Sequence, residues 1–120
     1  MRAASILIAS TLLAAAPLAA HPKLVSTTPA AKTTVKPTNK IELHFNEKLV
    51  AQFSGGDVTM SAMPGMADMP MTAKSSLGAD GKTLVLTLAA PLPEGGYTVA
   101  WHAVAADTHR INGSFAFTVK

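Results

Sequence analysis

The sequence predicts an all-β protein, a single small Greek-key β-sandwich or barrel of about seven strands. Three observations support this prediction. Proline or glycine separates the chain into short stretches, no long stretch shows helical periodicity, and several stretches alternate apolar and polar residues. Alternation with a period of two is typical of a strand that buries one face. About seven such strands in about a hundred residues fit a β-sandwich.

Residues 1–20 are predicted to be a secretory signal peptide. A positive charge near the start precedes an apolar run at residues 6–16, and small residues follow a proline after that run. A membrane anchor is the alternative, but the run is shorter than the roughly 20 apolar residues that span a bilayer. We therefore expect cleavage after Ala20, which makes His21 the first residue of a mature domain at 21–120.

The composition excludes several classes of protein. Loss of Arg2 with the leader lowers the basic residues from 10 to 9, against 7 acidic residues, so the mature charge is about +2. Without a basic cluster, the domain is not expected to bind nucleic acid. The absence of cysteine excludes a disulfide framework, a thiolate zinc site and a cysteine nucleophile. We expect an exported domain that is not embedded in the membrane.

Four clear alternating patterns and three shorter candidates account for the predicted strands. The patterns cover residues 41–46, 84–88, 97–103 and 111–119, and the shorter candidates are 24–28, 57–61 and 72–77.

The alternation also assigns two histidines to a face. If odd positions face the core in the first and third clear patterns, His44 and His102 face away from it. The simplest interpretation of each is a solvated surface imidazole, and the sequence assigns neither a role.

The expected N-terminal residue, His21, is a candidate metal ligand. Its free α-amine and its imidazole can bind one ion together, and these nitrogens suit copper, nickel and zinc. The next residue, Pro22, has no amide hydrogen, so a deprotonated amide at that position cannot supply a further nitrogen. The ion must therefore take its other ligands from elsewhere in the fold.

The segment Asp107-Thr108-His109 is a candidate source of those ligands. In extended backbone, residues two apart point the same way, so Asp107 and His109 would present one oxygen and one nitrogen together. With His21 the set becomes three nitrogens and one oxygen, which suits square-planar or tetragonal Cu(II). Zinc would accept the same pair. The structural alternative is a polar turn in which Asp107 caps backbone amides.

Five of the six methionines fall within residues 60–71, MSAMPGMADMPM. Thioether sulfur is soft and selects Cu(I). Methionine recurs every third residue from 60 to 69, so a polyproline-like segment with three residues per turn would align four sulfurs on one edge. Proline and glycine favour that conformation or an irregular loop over a helix. Core filling and a sticky surface for a partner are the alternatives, and we rank core filling below metal binding. The candidate Cu(I) ligands are Met60, Met63, Met66, Met69 and Met71.

Taken together, these segments resemble the small periplasmic copper-binding proteins of the CopC type. The resemblance covers nearly the whole mature chain. It is carried by the opening HPKLVSTTPA, the segment IELHFNEKLVAQFSGG, the methionine loop and the ending WHAVAADTHRINGSFAFTVK. It implies a cupredoxin-like or immunoglobulin-like β-barrel, periplasmic residence and a role in copper resistance or trafficking.

The resemblance also implies two copper sites. The Cu(II) site of the family corresponds here to His21, Asp107 and His109. In members with a methionine loop, a Cu(I) site of thioethers often includes a histidine, and Met60, Met63, Met66 and Met71 match that loop.

The sequence departs from the family pattern at two positions. The loop histidine corresponds to Asp68, which is a hard ligand, so we expect an all-thioether site that includes Met69. His102 stands where the family commonly has arginine, and the sequence gives no reason for this difference.

These observations predict a periplasmic copper carrier for copper resistance or homeostasis, not an enzyme. Its expected partners, implied by the resemblance, are an inner-membrane copper transporter of the CopD type, a periplasmic multicopper oxidase, or both. Two alternatives stay open. One is a copper monooxygenase with an N-terminal histidine chelate, and the other is a metal-free immunoglobulin-like binding module.

Overall fold

The computed structural model describes residues 22–61 and 67–120. These residues form nine β-strands, and a single turn of 3-10 helix covers Ala51–Phe53. The strands are β1 (Leu24–Thr28), β2 (Thr34–Val35), β3 (Lys40–Phe45), β4 (Gly55–Ser61), β5 (Met69–Met71), β6 (Ala73–Leu77), β7 (Thr83–Leu88), β8 (Gly95–Val104) and β9 (Arg110–Val119). The predicted signal peptide and His21 lie outside the described residues.

The strands form two sheets that pack face to face. One sheet has the order β1-β3-β7-β6 and the other has the order β2-β9-β8-β4-β5. Every pairing is antiparallel except that of β2 with β9. Phe45 on β3 meets Trp101 on β8 edge to face, with ring centroids 5.3 Å apart, so the two inner faces share one core. The predicted all-β sandwich is confirmed.

The core follows the alternation seen in the sequence. On β3 the odd-numbered residues are buried, whereas Glu42 and His44 lie on the outer face and are partly exposed. The same pattern on β8 buries Trp101 and leaves His102 partly exposed. The outward positions predicted for both histidines are confirmed. The largest fully buried side chains are Tyr97, Ile41, Leu43, Leu84, Leu86, Leu92, Val58, Val99 and Val119.

Two close contacts hold β8 in place. A Cβ atom at Gly113 of β9 would lie only 2.5 Å from Cζ2 of Trp101, so only glycine leaves room for the indole. The hydroxyl of Tyr97 donates to the carbonyl oxygen of Pro93 at 2.5 Å, and burial raises the pKa of this phenol. The strand that ends beside the candidate metal ligands is thus held at Trp101 by packing and at Tyr97 by a hydrogen bond.

The structure contains two strands that the sequence did not predict. The two-residue β2 pairs in parallel with the end of β9. The three-residue β5 includes Pro70 and forms one edge of its sheet, where a missing N–H is tolerated. Both are too short for alternation to reveal them.

Candidate metal centre

The predicted ligand pair lies in the tight connection between β8 and β9. Register pairing of Val104 with Arg110 brings the two strands together around it. The N–H of Thr108 donates to the carbonyl of Ala105 at 2.9 Å, which closes the turn. Thr108 has a φ of 67°, in the left-handed region, which is uncommon for a β-branched residue. The connection is therefore a defined turn and not extended chain.

Asp107 and His109 meet across this turn. Oδ1 of Asp107 accepts the backbone N–H of His109 at 3.1 Å, and Oδ2 lies 3.3 Å from Nδ1 of the same histidine. The Asp107 side chain is 19% exposed and the imidazole 63% exposed. One carboxylate oxygen and one imidazole nitrogen thus lie side by side at the surface.

The sequence predicted this proximity for a different reason. Extended backbone was expected to point Asp107 and His109 the same way, whereas the left-handed Thr108 brings them together through a turn. The structural alternative, an aspartate that caps a backbone amide, is also present, because Oδ1 performs that function. The two interpretations are compatible, since the carboxylate has a second oxygen.

The start of the described chain lies at the same end of the sandwich. The N–H of Lys23 donates to Oδ1 of Asn46 at 2.7 Å, and the N–H of Asn46 donates back to the carbonyl of Lys23 at 3.1 Å. A few residues further on, Leu49 forms a bridge with Ala105, two residues before Asp107. The chain beginning and the Asp107 turn therefore contact the same loop.

A buried serine fixes the end of β8 beside this loop. The N–H of Val104 donates to Oγ of Ser54 at 3.0 Å, and the N–H of Val50 donates to the carbonyl of Val104 at 2.8 Å. Both backbone groups of Val104 are thus bound, which holds the strand end from which the turn starts.

Within the described ranges, no group of three or more histidine, cysteine, aspartate or glutamate side chains converges on one point that could hold a metal ion. Asp107 and His109 would supply two of the predicted ligands, and a complete site needs further donors. The predicted third residue, His21, lies outside the part of the chain that the structure describes.

Three candidate thioether ligands belong to paired strands. Met60 on β4 is the register partner of Met69 on β5, and Val58 is the partner of Met71. Residues paired in register share a face, as do residues two apart on a strand. Because Val58 is buried in the core, the three methionines all lie on the inner side of this sheet edge.

This arrangement corrects the predicted conformation at the two ends of the methionine segment, residues 60–61 and 69–71. A polyproline-like run or an irregular loop was expected to align methionines along one edge, but Met60 and Met69 face each other across two antiparallel strands. Pairing of β4 with β5 is favoured over a polyproline-like conformation because it forms backbone hydrogen bonds between the strands. An isolated polyproline segment leaves those backbone groups to water. Met63 and Met66 lie outside the described residues.

Core filling, which the sequence ranked below metal binding, accounts for part of this cluster. Met60 and Met71 are partly buried and pack against the core, whereas Met69 is 57% exposed. Asp68, which precedes β5, is exposed. The sulfurs therefore sit at the border between core and solvent, where a flexible thioether serves packing and remains within reach of an ion.

A surface cavity of about 500 Å³ adjoins the Asp107 turn, and Phe53, His102, Thr108 and Arg110 are among its lining residues. The Phe53 side chain is 55% exposed. The sequence did not predict this cavity, because its lining combines the 3-10 turn with β8, β9 and the turn between them, which come much later in the chain. Among the described residues, no helix is long and apolar enough to cross a membrane.

A small β-sandwich with paired oxygen and nitrogen donors at one end and thioethers at another has the features of a metal-binding protein. Comparison with known proteins identifies the family. The CopC domain matches residues 24–120. Copper resistance protein C of Pseudomonas syringae pv. tomato is 52% identical over 116 residues, which cover 95% of this chain and 92% of that protein. Copper resistance protein C of Escherichia coli is 47% identical over 104 residues, or 84% of this chain and 82% of the relative.

A solved structure gives the same result. The crystal structure of PcoC, a methionine-rich copper resistance protein from Escherichia coli, superimposes with a TM-score of 0.78 at 46% identity and covers 84% of this chain and 100% of that one. The chain belongs to the CopC family of copper resistance proteins. This is a family of copper-binding proteins and not of enzymes.

Proposed function

We propose that the protein is a periplasmic copper carrier that holds Cu(II) at His21, Asp107 and His109, holds Cu(I) at the methionine cluster, and passes copper to partner proteins. Family membership supports copper as the cargo. The juxtaposition of Asp107 Oδ2 and His109 Nδ1, 3.3 Å apart, is the observation on which the Cu(II) assignment rests. Nitrogen and carboxylate donors suit Cu(II) and thioethers suit Cu(I).

The Cu(II) site depends on cleavage after Ala20. The α-amine that this cleavage creates and the imidazole of His21 would complete a set of three nitrogens and one oxygen. Pro22 is buried, and Lys23 is held by two hydrogen bonds to Asn46, so the chain enters the fold at a fixed point. A fixed entry reduces the conformational entropy lost when the terminal residue binds an ion.

The proposed Cu(I) site uses the thioether sulfur of methionine, which cannot form disulfides. Met60, Met69 and Met71 lie on one side of a sheet edge, and Met63 and Met66 belong to the segment that joins the two paired strands. Because Met69 is largely exposed and Met60 is partly buried against the core, an ion entering from solvent would meet the Met69 side chain first. A thioether site suits an oxidising compartment, where exposed thiols are readily oxidised.

The surface beside the Asp107 turn is a suitable place for copper exchange. The exposed Phe53 and the adjoining cavity lie next to Thr108 and Arg110, which flank His109 in the chain. An exposed aromatic side chain beside a concave surface is typical of a contact for another protein. We propose a CopD-type inner-membrane transporter, a periplasmic multicopper oxidase, or both, as the partners.

Separate titrations of the two oxidation states test the two-site proposal. The mature protein is loaded with one equivalent of Cu(II), followed by electron paramagnetic resonance, and is then titrated with Cu(I) under anaerobic conditions against a chromophoric chelator. We expect the Cu(II) spectrum to persist while a second equivalent, now Cu(I), binds. Displacement of Cu(II) by Cu(I) would show one shared site and would disprove the proposal.

The intact mass of the exported protein tests the step on which the Cu(II) site depends. We expect a chain that starts at His21. A start at any other residue removes the proposed amine and imidazole chelate, although it leaves the methionine cluster unaffected.

A further inference from the structure

A second pair of nitrogen and oxygen donors lies on the outer face of the four-stranded sheet. Nε2 of His44 is 3.7 Å from Oε2 of Glu42, and the two side chains are 37% and 33% exposed. Both residues are on β3, two positions apart, and therefore on the same face. Asp107 and His109 belong to the connection between β8 and β9 of the other sheet.

The His44 ring is supported from behind by a hydrogen-bonded chain. Nδ1 of His44 lies 3.2 Å from Oγ1 of Thr83, which is directly opposite it on β7. The Thr83 hydroxyl is in turn 3.1 Å from Oδ2 of Asp80, in the turn that precedes β7. The His44 imidazole, the Thr83 hydroxyl and the Asp80 carboxylate thus form a chain of hydrogen bonds that ends at the carboxylate.

The carboxylate at the end of this chain of hydrogen bonds is ionised. Oδ1 of Asp80 accepts the backbone N–H groups of Lys82 at 2.9 Å and Thr83 at 3.0 Å. The hydrogen bond from Lys82, together with those from Thr83, holds the pKa of Asp80 below its ordinary value of 3.8, although partial desolvation acts in the opposite direction. An ionised carboxylate only accepts hydrogen bonds.

The direction of each hydrogen bond follows from this. Thr83 has one hydroxyl hydrogen, and because Asp80 cannot donate, that hydrogen goes to Asp80. The oxygen of Thr83 must then accept from His44, so Nδ1 carries the hydrogen. In the neutral imidazole the lone pair therefore lies on Nε2, the atom that faces Glu42.

Two electron-pair donors then face each other with no hydrogen bond between them. At 3.7 Å the separation of Nε2 and Oε2 is longer than a hydrogen bond. Two ligand atoms of one zinc or copper ion, each about 2.0–2.2 Å from the metal, lie roughly 3–4 Å apart depending on the angle. The spacing suits a cation between them. Moreover, a metal-bound histidine typically donates its other ring N–H to a carboxylate or a similar acceptor, as His44 does through Thr83.

We infer that His44 Nε2 and Glu42 Oε2 form an auxiliary site for a borderline divalent ion, Cu(II) or Zn(II), in which Thr83 and Asp80 position the imidazole. Imidazole nitrogen and carboxylate oxygen are ligands that such ions accept. Only two side chains contribute, and both are partly exposed, so water completes the coordination and the ion exchanges readily. The inference does not depend on the proposed N-terminal site.

The test uses the mature chain with one alanine added before His21 and with His109→Ala, so that the proposed N-terminal site is removed. Zn(II) is titrated into this background and into the unaltered mature chain while the imidazole nitrogens are followed by ¹⁵N nuclear magnetic resonance. We expect Nε2 of His44 to shift on binding while Nδ1 keeps its hydrogen. An unchanged His44 resonance at saturating Zn(II) would show that no metal ion binds at this imidazole, and it would overturn the proposal.

Substitutions in the same background identify the ligands. His44→Gln and Glu42→Gln are each expected to weaken Zn(II) binding at least about tenfold. His102→Gln is the matched control, because His102 is also a partly exposed histidine on an outer strand face but pairs with Gly55 and Asn112, neither of which has a carboxylate. Equal loss in the His102 variant, or no loss in the His44 variant, would contradict the assignment.

Thr83→Val tests the positioning residue. Valine keeps the shape of threonine but removes the acceptor for Nδ1, so we expect His44 to populate both neutral tautomers and Zn(II) affinity to fall roughly tenfold or more. The tautomer ratio is read from the ¹⁵N shifts without metal, so it separates positioning from a general loss of structure. An unchanged ratio would remove Thr83 and Asp80 from the proposal.

Discussion

Met60 and Met69 lie directly opposite each other on β4 and β5, and they differ in burial: Met60 packs against the core, whereas Met69 is 57% exposed. The pair therefore combines a packed methionine with an exposed one. Leucine has a similar volume but no sulfur. Substitution of these methionines by leucine therefore distinguishes a role in packing from a role in metal binding.

The Met60→Leu and Met69→Leu double variant is expected to bind Cu(I) at least about tenfold more weakly, because soft ligands are lost. Its stability should change by less than about 1.5 kcal/mol, since Leu and Met exchange readily in cores. Competition with a Cu(I) chelator and urea unfolding measure the two effects. Cu(II) affinity serves as the internal control and should not change. Full retention of Cu(I) affinity would mean that these methionines only fill the core edge.

When an alanine is added before His21 of the mature protein, the free α-amine belongs to the alanine and no longer to the residue that carries the imidazole. We expect Cu(II) affinity to fall at least about a hundredfold, because the chelate is broken and two fixed donors become one. Cu(I) affinity, measured in the same preparation, should not change. Undiminished Cu(II) affinity would instead favour a binding module without an N-terminal metal site.

Asp107→Asn tests the carboxylate in the Cu(II) site. The amide keeps an oxygen that can accept the backbone N–H of His109, so the turn is retained, but the negative charge is lost. We expect Cu(II) affinity to fall at least about tenfold while the unfolding midpoint stays nearly constant. Asp57→Asn, at an exposed position on β4, removes the same charge elsewhere and should leave Cu(II) affinity unchanged. Equal effects of the two variants would indicate a general charge effect.

Thr108 offers a matched pair of variants because its φ is 67°. Thr108→Gly allows this conformation and should retain Cu(II) binding. Thr108→Pro fixes φ near −65° and removes the N–H that donates to Ala105, so the turn that brings Asp107 to His109 cannot form. Calorimetric titration with Cu(II) should show strong binding in the first variant and a large loss in the second. Strong binding by the proline variant would show that the turn geometry is not needed.

Gly113→Ala places a Cβ atom where the Trp101 indole lies, with a separation of 2.5 Å from Cζ2. Because Phe45 also packs against the indole, with ring centroids 5.3 Å apart, the ring has little room to move. We expect a loss of roughly 1–3 kcal/mol in the free energy of unfolding. Urea titration followed by the fluorescence of the single tryptophan measures it. Gly96→Ala is the control, since its Cβ would lie at an ordinary 3.7 Å from Ser61.

The long strands were predictable because they bury one face along their whole length. The outward position of His44 follows directly from the buried Leu43 and Phe45 on either side of it. By contrast, β5 was not predictable. Its three residues include a proline, and they form a strand only because β4 offers a partner at the sheet edge.

The candidate site was predictable in its members but not in its geometry. The Asp-x-His pattern correctly predicted that Asp107 and His109 lie together. A left-handed residue between them could not be predicted, because threonine rarely adopts that conformation. The Glu42, His44 and Thr83 arrangement requires the register of β3 with β7, which only the folded sheet provides.

Strand β8 separates the two proposed copper sites. It starts beside the methionine cluster, where Tyr97 pairs with Met60, and it ends at the turn that holds Asp107 and His109. The eight residue steps from Tyr97 to Ala105 span roughly 26 Å at about 3.3 Å each. Among the described residues no cluster of histidine, aspartate or glutamate ligands lies between the two ends, so we expect a copper ion that changes oxidation state to leave one site before it reaches the other. Copper that moves between the two proposed sites would then pass through a donor or acceptor protein. The length of β8 leaves room for two such proteins, one at each end of the strand.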